Sequence, residues 1–426
     1  MQARTHWPSA LQFGLSSIAA LLALAGGLSM LLLGMMGAFL PFPASQGFQG
    51  VTVFMLAASS IFTGLLLLPS AWYSLQRLVG HPERAQAPHS WRISVFGWLF
   101  SLVVVIGVGY FVSVQSGLLA YFLPALHVLA VGLTAALIFS IGSRKLVVGS
   151  NQRFWGVFAS GLMLGPFLIL LIEGSILLVL LVVAIASLAS VPGLMQQLLA
   201  IAEQMQTSPQ AAEELLAVLR PYLSSPLVIY TVLAFTAGMV PLVEELFKPI
   251  GVWLLFSRPL TAAQGFTAGM LSGAGYGLFE SLSLANGGDG WAFLVIARSG
   301  TTLLHIFTAG LVGWGLALAF SKGKYLNLAL AYLAAVTLHG LWNGLSILSS
   351  GSALLGEDAT SSSLLNFLSQ AAPVALVGLA VLLFILLVWC NYYFVRQHQE
   401  PVVRVYNETL LPESTVDNKN SGDYSA

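Results

Sequence analysis

The sequence predicts an all-α protein, a polytopic transmembrane bundle of about ten spans with both termini in the cytoplasm. Three observations predict it. Hydrophobic residues make up 57% of the 426 residues and charged residues only 8%, whereas a soluble domain carries about 25% charge. Apolar runs long enough to cross a bilayer core, about 20 residues, recur along most of the chain. The few charges between those runs alternate in sign from one loop to the next.

The runs lie near residues 11–40, 51–74, 92–113, 118–141, 154–190, 226–256, 263–285, 291–320, 325–349 and 369–396. The first exceeds the roughly 7–15 apolar residues of a signal-peptide core, so it reads as a retained anchor. The fifth is long enough for a steeply tilted span, or for one span plus an interfacial piece. Arg77, Arg84 and Arg92, then Arg144, Lys145 and Arg153, then Arg258, then Lys322 and Lys324 occupy alternate loops. The intervening loops hold Glu203, Glu213 and Glu214, then Asp289, then Glu357 and Asp358, against Arg220 alone. The excess of basic residues on one side places that side, and both termini, in the cytoplasm.

Five parts follow. Residues 1–190 form a five-span N-terminal extension. Residues 191–225 form an outer amphipathic loop, two short helices broken at Ser208-Pro209. Residues 226–350 form a core of four spans, 351–396 an outer loop and the last span, and 397–426 a disordered cytoplasmic tail. The zero net charge gives no reason to expect nucleic acid as a partner; the bilayer itself is the first partner. The lone cysteine, Cys390, excludes an internal disulfide and any cysteine-based metal knuckle. No internal repeat stands out, which speaks against an inverted-repeat transporter.

Ionisable side chains inside spans cost roughly 2.5–3.5 kcal/mol each on insertion scales, so they are candidates for function. The first five spans supply only His127 and Glu173, which serve equally well as helix–helix hydrogen bonds. The next four supply Glu244, Glu245, Lys248, Glu280, Arg298, His305 and His339. Glu244 and Lys248 are spaced i,i+4, and Glu245 and Lys248 i,i+3, so one lysine serves two carboxylates. Packing alone would be met at lower cost by apolar residues. Pro241 and Pro249 bracket this stretch and free backbone carbonyls. Tyr276 and Glu280 share a face in a glycine-rich span, as do Arg298 and His305 in the next, and His339 and Asn343 in the one after. Arg298 lies near enough to the outer interface to snorkel instead.

Glu244-Glu245-x-x-Lys248, then Tyr276-x-x-x-Glu280, then His305, then His339-x-x-Trp342-Asn343, resembles the PrsW family of intramembrane proteases. That family is grouped with the CAAX prenyl endopeptidases and the Abi proteins. The resemblance covers about residues 226–350. It implies a bacterial plasma-membrane enzyme acting on a membrane-anchored protein or peptide. Tyr276 stands where the family usually has phenylalanine. Asn343 stands where many members have an acid, which suits an oxyanion donor better than a zinc ligand.

The implied reaction is peptide-bond hydrolysis by a water activated at Glu244/Glu245. His339 and Asn343 would stabilise the oxyanion, while Glu280 and His305 orient groups or donate protons. Lys248, Tyr276 and Arg298 support the site. No cofactor is favoured, because no His-Glu-x-x-His spacing occurs. A zinc shell of Glu245, Glu280, His305 and His339 is the alternative. A proton-coupled transporter or channel using the same residues as a relay is a rival of another class, and a non-catalytic helix-binding scaffold is a third.

Overall fold

The computed structural model describes residues 6–39, 50–83, 85, 95–205, 208, 210–355 and 363–410. Among them the regular structure is helical, with no strand. Its helices are α1 (Trp7–Phe39), α2 (Gly50–Leu78), α3 (Val95–Ser113), α4 (Leu123–Gly142), α5 (Asn151–Ala189), α6 (Leu194–Gln204) and α7 (Gln210–Leu223). Then come α8 (Pro226–Trp253), α9 (Ala262–Ser283), α10 (Trp291–Lys322), α11 (Tyr325–Leu355) and α12 (Ser363–Leu410).

Nine of these helices are long and apolar enough to cross a membrane. The tenth expected span exists as α9, but falls short on composition. Its 22 residues are rich in glycine and serine, and nearly all of those from Ala263 to Leu278 are buried. The cause is its place in the bundle. A helix walled by other helices meets no lipid, so it needs small residues for close approach more than large apolar ones. A Cβ on Gly269 would strike the Ala309 carbonyl of α10, and one on Gly161 of α5 would strike the Ser272 carbonyl of α9. Helix α9 is therefore held backbone-to-backbone between α10 and α5.

Two helices carry π stretches, at Ser160–Leu164 in α5 and Ala234–Met239 in α8. Helix α8 also bends after Lys248: the Val252 and Trp253 amides bond back to the Pro249 carbonyl. The amphipathic pair α6 and α7 stands where the sequence predicts it, with Leu194, Ile201 and Ala211 buried.

Helix α12 continues to Leu410, into the tail expected from residue 397. The rest of that tail, 411–426, lies outside the described residues, as do Arg84, Arg92, Pro209, Glu357 and Asp358.

Candidate active site

The π stretch of α8 sets the geometry of the glutamate pair. The Val240 amide reaches back five residues to the Phe235 carbonyl. In that register the Thr236 carbonyl would pair with residue 241, which is proline and has no N–H. Asn343 of α11 fills the gap: its Nδ2 donates to the Thr236 oxygen at 2.8 Å. The bulge also turns the segment from Val240 to Phe247 so that Glu244 and Glu245, adjacent in sequence, are both buried.

Lys248 lies between them, fully buried, with Nζ 3.0 Å from Glu244 Oε2 and 2.7 Å from Glu245 Oε1. Its own carbonyl has lost the Val252 amide to Pro249, and Ser272 Oγ of α9 donates to it at 2.6 Å. Tyr276, one turn along α9, presents its ring 5.0 Å from Lys248 Nζ and edge-on to His305 at 5.0 Å.

Two histidines close the cluster. His339 Nδ1 lies 2.9 Å from Glu245 Oε1 and 3.2 Å from Lys248 Nζ, and its Nε2 lies 3.8 Å from Glu244 Oε2. With the Nδ1 proton assigned to the bond with Glu245, the Nε2 lone pair faces Glu244. His305 Nε2 sits 2.6 Å from Glu280 Oε2, and its Nδ1 is buried without a hydrogen-bond partner. The two imidazole rings meet edge-on at 5.4 Å.

One ligand atom from each of Glu244, His305 and His339 lies within 4.8 Å of the others, and all three residues are buried. Glu244 Oε2 already meets Lys248 Nζ at 3.0 Å, whereas His305 Nδ1 has no hydrogen-bond partner. Behind them stand two carboxylates, Glu245 on His339 and Glu280 on His305. Metal-ligating histidines are commonly oriented in this way, by an acid on the ring nitrogen turned away from the metal. The donor set of two imidazoles and one carboxylate suits zinc, with a coordination position left over.

The cluster differs from the predicted one at three positions. Glu244, rather than Glu245 or Glu280, converges with the two histidines, while the other acids lie on the ring nitrogens Nδ1 of His339 and Nε2 of His305. Asn343 bonds to the backbone of α8 and not to the cluster. Arg298 does not reach for the interface: its Nη2 is 2.7 Å from Glu280 Oε2 and its side chain is 13% exposed. Ser272 was missed altogether. Its only signal is its place one turn before Tyr276 in a helix too polar for lipid. His127 lies in a different cluster, accepting from Trp291 Nε1 at 3.3 Å.

The family model described as PrsW family intramembrane metalloprotease matches residues 153–387, more than half of the chain. No curated protein and no solved structure matches it. The matched stretch runs from α5 into α12, wider than the 226–350 core that the motifs delimit.

Proposed function

The chain belongs to the PrsW family of intramembrane metalloproteases, and we propose that it cleaves a peptide bond of a membrane-anchored protein or peptide at Glu244, His305 and His339. The observation that carries this reading is the convergence of Glu244 with two histidines, each held by an acid, Glu245 on His339 and Glu280 on His305. These three residues would hold a zinc ion. When bound, zinc supplies Lewis-acid polarisation of a carbonyl and a water acidic enough to react near neutral pH.

The chain's own groups supply the rest. Glu245 commits Oε1 to Lys248 and His339 but leaves its buried Oε2 without a partner. That oxygen takes the proton of the attacking water. Tyr276, packed against Lys248 and His305, offers a hydroxyl donor to the oxygen on which charge develops. Lys248 holds both glutamates in place. Ile169, Val243 and Tyr276 pack into an apolar wall that keeps bulk water from the cluster.

One observation favours a metal-free variant of this chemistry, with Glu244 as the base: the Lys248 ammonium already offsets Glu244 at 3.0 Å. Cleavage of a membrane-anchored reporter in proteoliposomes separates the readings. Glu244→Gln and Glu245→Gln should each lose roughly 10²–10⁴-fold in rate, and a chelator should silence the wild type. A chelator-resistant wild type with an inactive Glu244→Gln would select the metal-free variant. Full activity in both single variants would remove hydrolysis from this pair.

A further inference from the structure

Helices α2, α3 and α4 contribute nothing to the site above, yet they enclose a cleft with α5 and α9. Its volume is about 470 Å³. Every side chain that lines it is apolar or aromatic except Asn151. Such a lining offers water few hydrogen-bond partners and suits hydrocarbon. The cleft opens sideways, where Leu129 is 50% exposed.

Its shape selects the occupant. The lining runs along α4 from Val128 to Phe139, about 16 Å at the α-helical rise. That is about the depth of one leaflet of a bilayer core about 30 Å thick. Spread over that length, the volume gives a channel about 6 Å across. A helix with its side chains is about 10–12 Å wide and does not fit. One extended hydrocarbon chain does, since packed carbons sit about 4 Å apart.

The two ends differ. Phe139, Asn151 and Trp155 lie about a turn or less from the ends of α4 and α5 that flank the loop between them, and Trp98 lies one turn into α3. Tryptophan at helix ends marks the level of the membrane interface. A bridge between Ala85 and Ser150 joins the α2–α3 and α4–α5 loops at this end. Around that bridge stand Arg77, Arg144, Lys145 and Arg153 against Glu83, which already meets Arg77 at 3.8 Å. Arg144 and Lys145, just past the end of α4, are exposed. The other end, at Val128 and Leu278, is wholly apolar.

We propose that this cleft is a lipid site, holding one acyl chain of an anionic phospholipid whose headgroup lies at Arg144 and Lys145. The tail runs against Leu271, Ala274 and Leu278 of α9, the helix that also carries Ser272 and Tyr276. It thus fills the join between the helices that precede the matched stretch and two helices within it. The site depends on the membrane setting alone and on neither hydrolysis nor metal.

The test reconstitutes the full-length protein into vesicles of equal phosphatidylglycerol and phosphatidylcholine. The protein is then extracted in mild detergent and weighed by native mass spectrometry. Wild type should retain one phospholipid per chain, with phosphatidylglycerol favoured by roughly 5-fold or more. Ala136→Phe fills the middle of the cleft and Val128→Phe its inner end; each, folded by circular dichroism, should retain almost none. Val103→Phe, on an outward face of α3, should match wild type. Arg144→Gln combined with Lys145→Gln should keep the lipid and lose the preference. Wild type without bound phospholipid would overturn the proposal. So would full retention in both cleft variants, or equal retention of the two lipids by wild type. Cleavage is not measured, so each of these outcomes leaves the hydrolytic reading where it stands.

Discussion

Two of the buried polar clusters among the described residues are built on opposite terms. In the first, where α1, α2 and α5 meet, every member is neutral. Gln12 Nε2 donates to Ser70 Oγ at 3.1 Å and to the Gln152 carbonyl at 3.2 Å. Ser16 and Ser70 pair at 2.8 Å, and Gln152 Nε2 donates to Ser9 Oγ at 2.7 Å. Only Gln152 Oε1 is left without a partner. In the second, where α8 to α11 meet, the members are charged or titratable. There Glu245 Oε2 and His305 Nδ1 accept no hydrogen bond, and Glu244 Oε2 meets the Lys248 ammonium. A satisfied neutral network binds helices together. A charged network with vacant lone pairs is costly as glue, and is explained by what it can bind and activate.

Breaking each cluster should therefore give different readouts. The largest effect is expected at Glu244. Glu244→Gln removes a ligand carboxylate, and reporter cleavage should fall by roughly 10²–10⁴-fold while the melting temperature holds or rises. A substantial fall in stability with activity retained would make Glu244 part of the glue. Next comes Glu280→Gln, which unpins the His305 ring and should lower zinc affinity by roughly 10–100-fold, measured by chelator competition. Asn343→Ala should act on stability: with the Thr236 carbonyl left orphaned, unfolding in detergent should shift by about 1–3 kcal/mol. Zinc affinity should change little. The smallest effect belongs to the neutral cluster. Ser70→Ala should cost about 0.6 kcal/mol, the average for such bonds in membranes, and leave zinc affinity unchanged.

Much of this contrast is legible in the sequence. The concentration of ionisable residues in four consecutive spans marks the second cluster, and the i,i+3 and i,i+4 spacings join Lys248 to both glutamates correctly. Three details are not legible, each for a physical reason. Adjacent residues on a helix point about 100° apart, so spacing does not show that both glutamates meet His339, Glu245 at Nδ1 and Glu244 at Nε2. The role of Asn343 depends on the π stretch of α8, since in regular α register the Thr236 carbonyl would already be paired. Ser272 joins the site through its bond to the Lys248 carbonyl of another helix, which no local pattern records. Even α9, the most enclosed helix, is visible only as a run too rich in glycine for lipid.

The most direct test of the metal-binding claim is metal content. Full-length protein purified without chelators should carry about one zinc per chain by elemental mass spectrometry. His305→Ala and His339→Ala, folded by circular dichroism, should carry almost none, and Ser70→Ala should match wild type. Wild type that is active in reporter cleavage yet free of metal would contradict it, as would metal retained in full by both histidine variants.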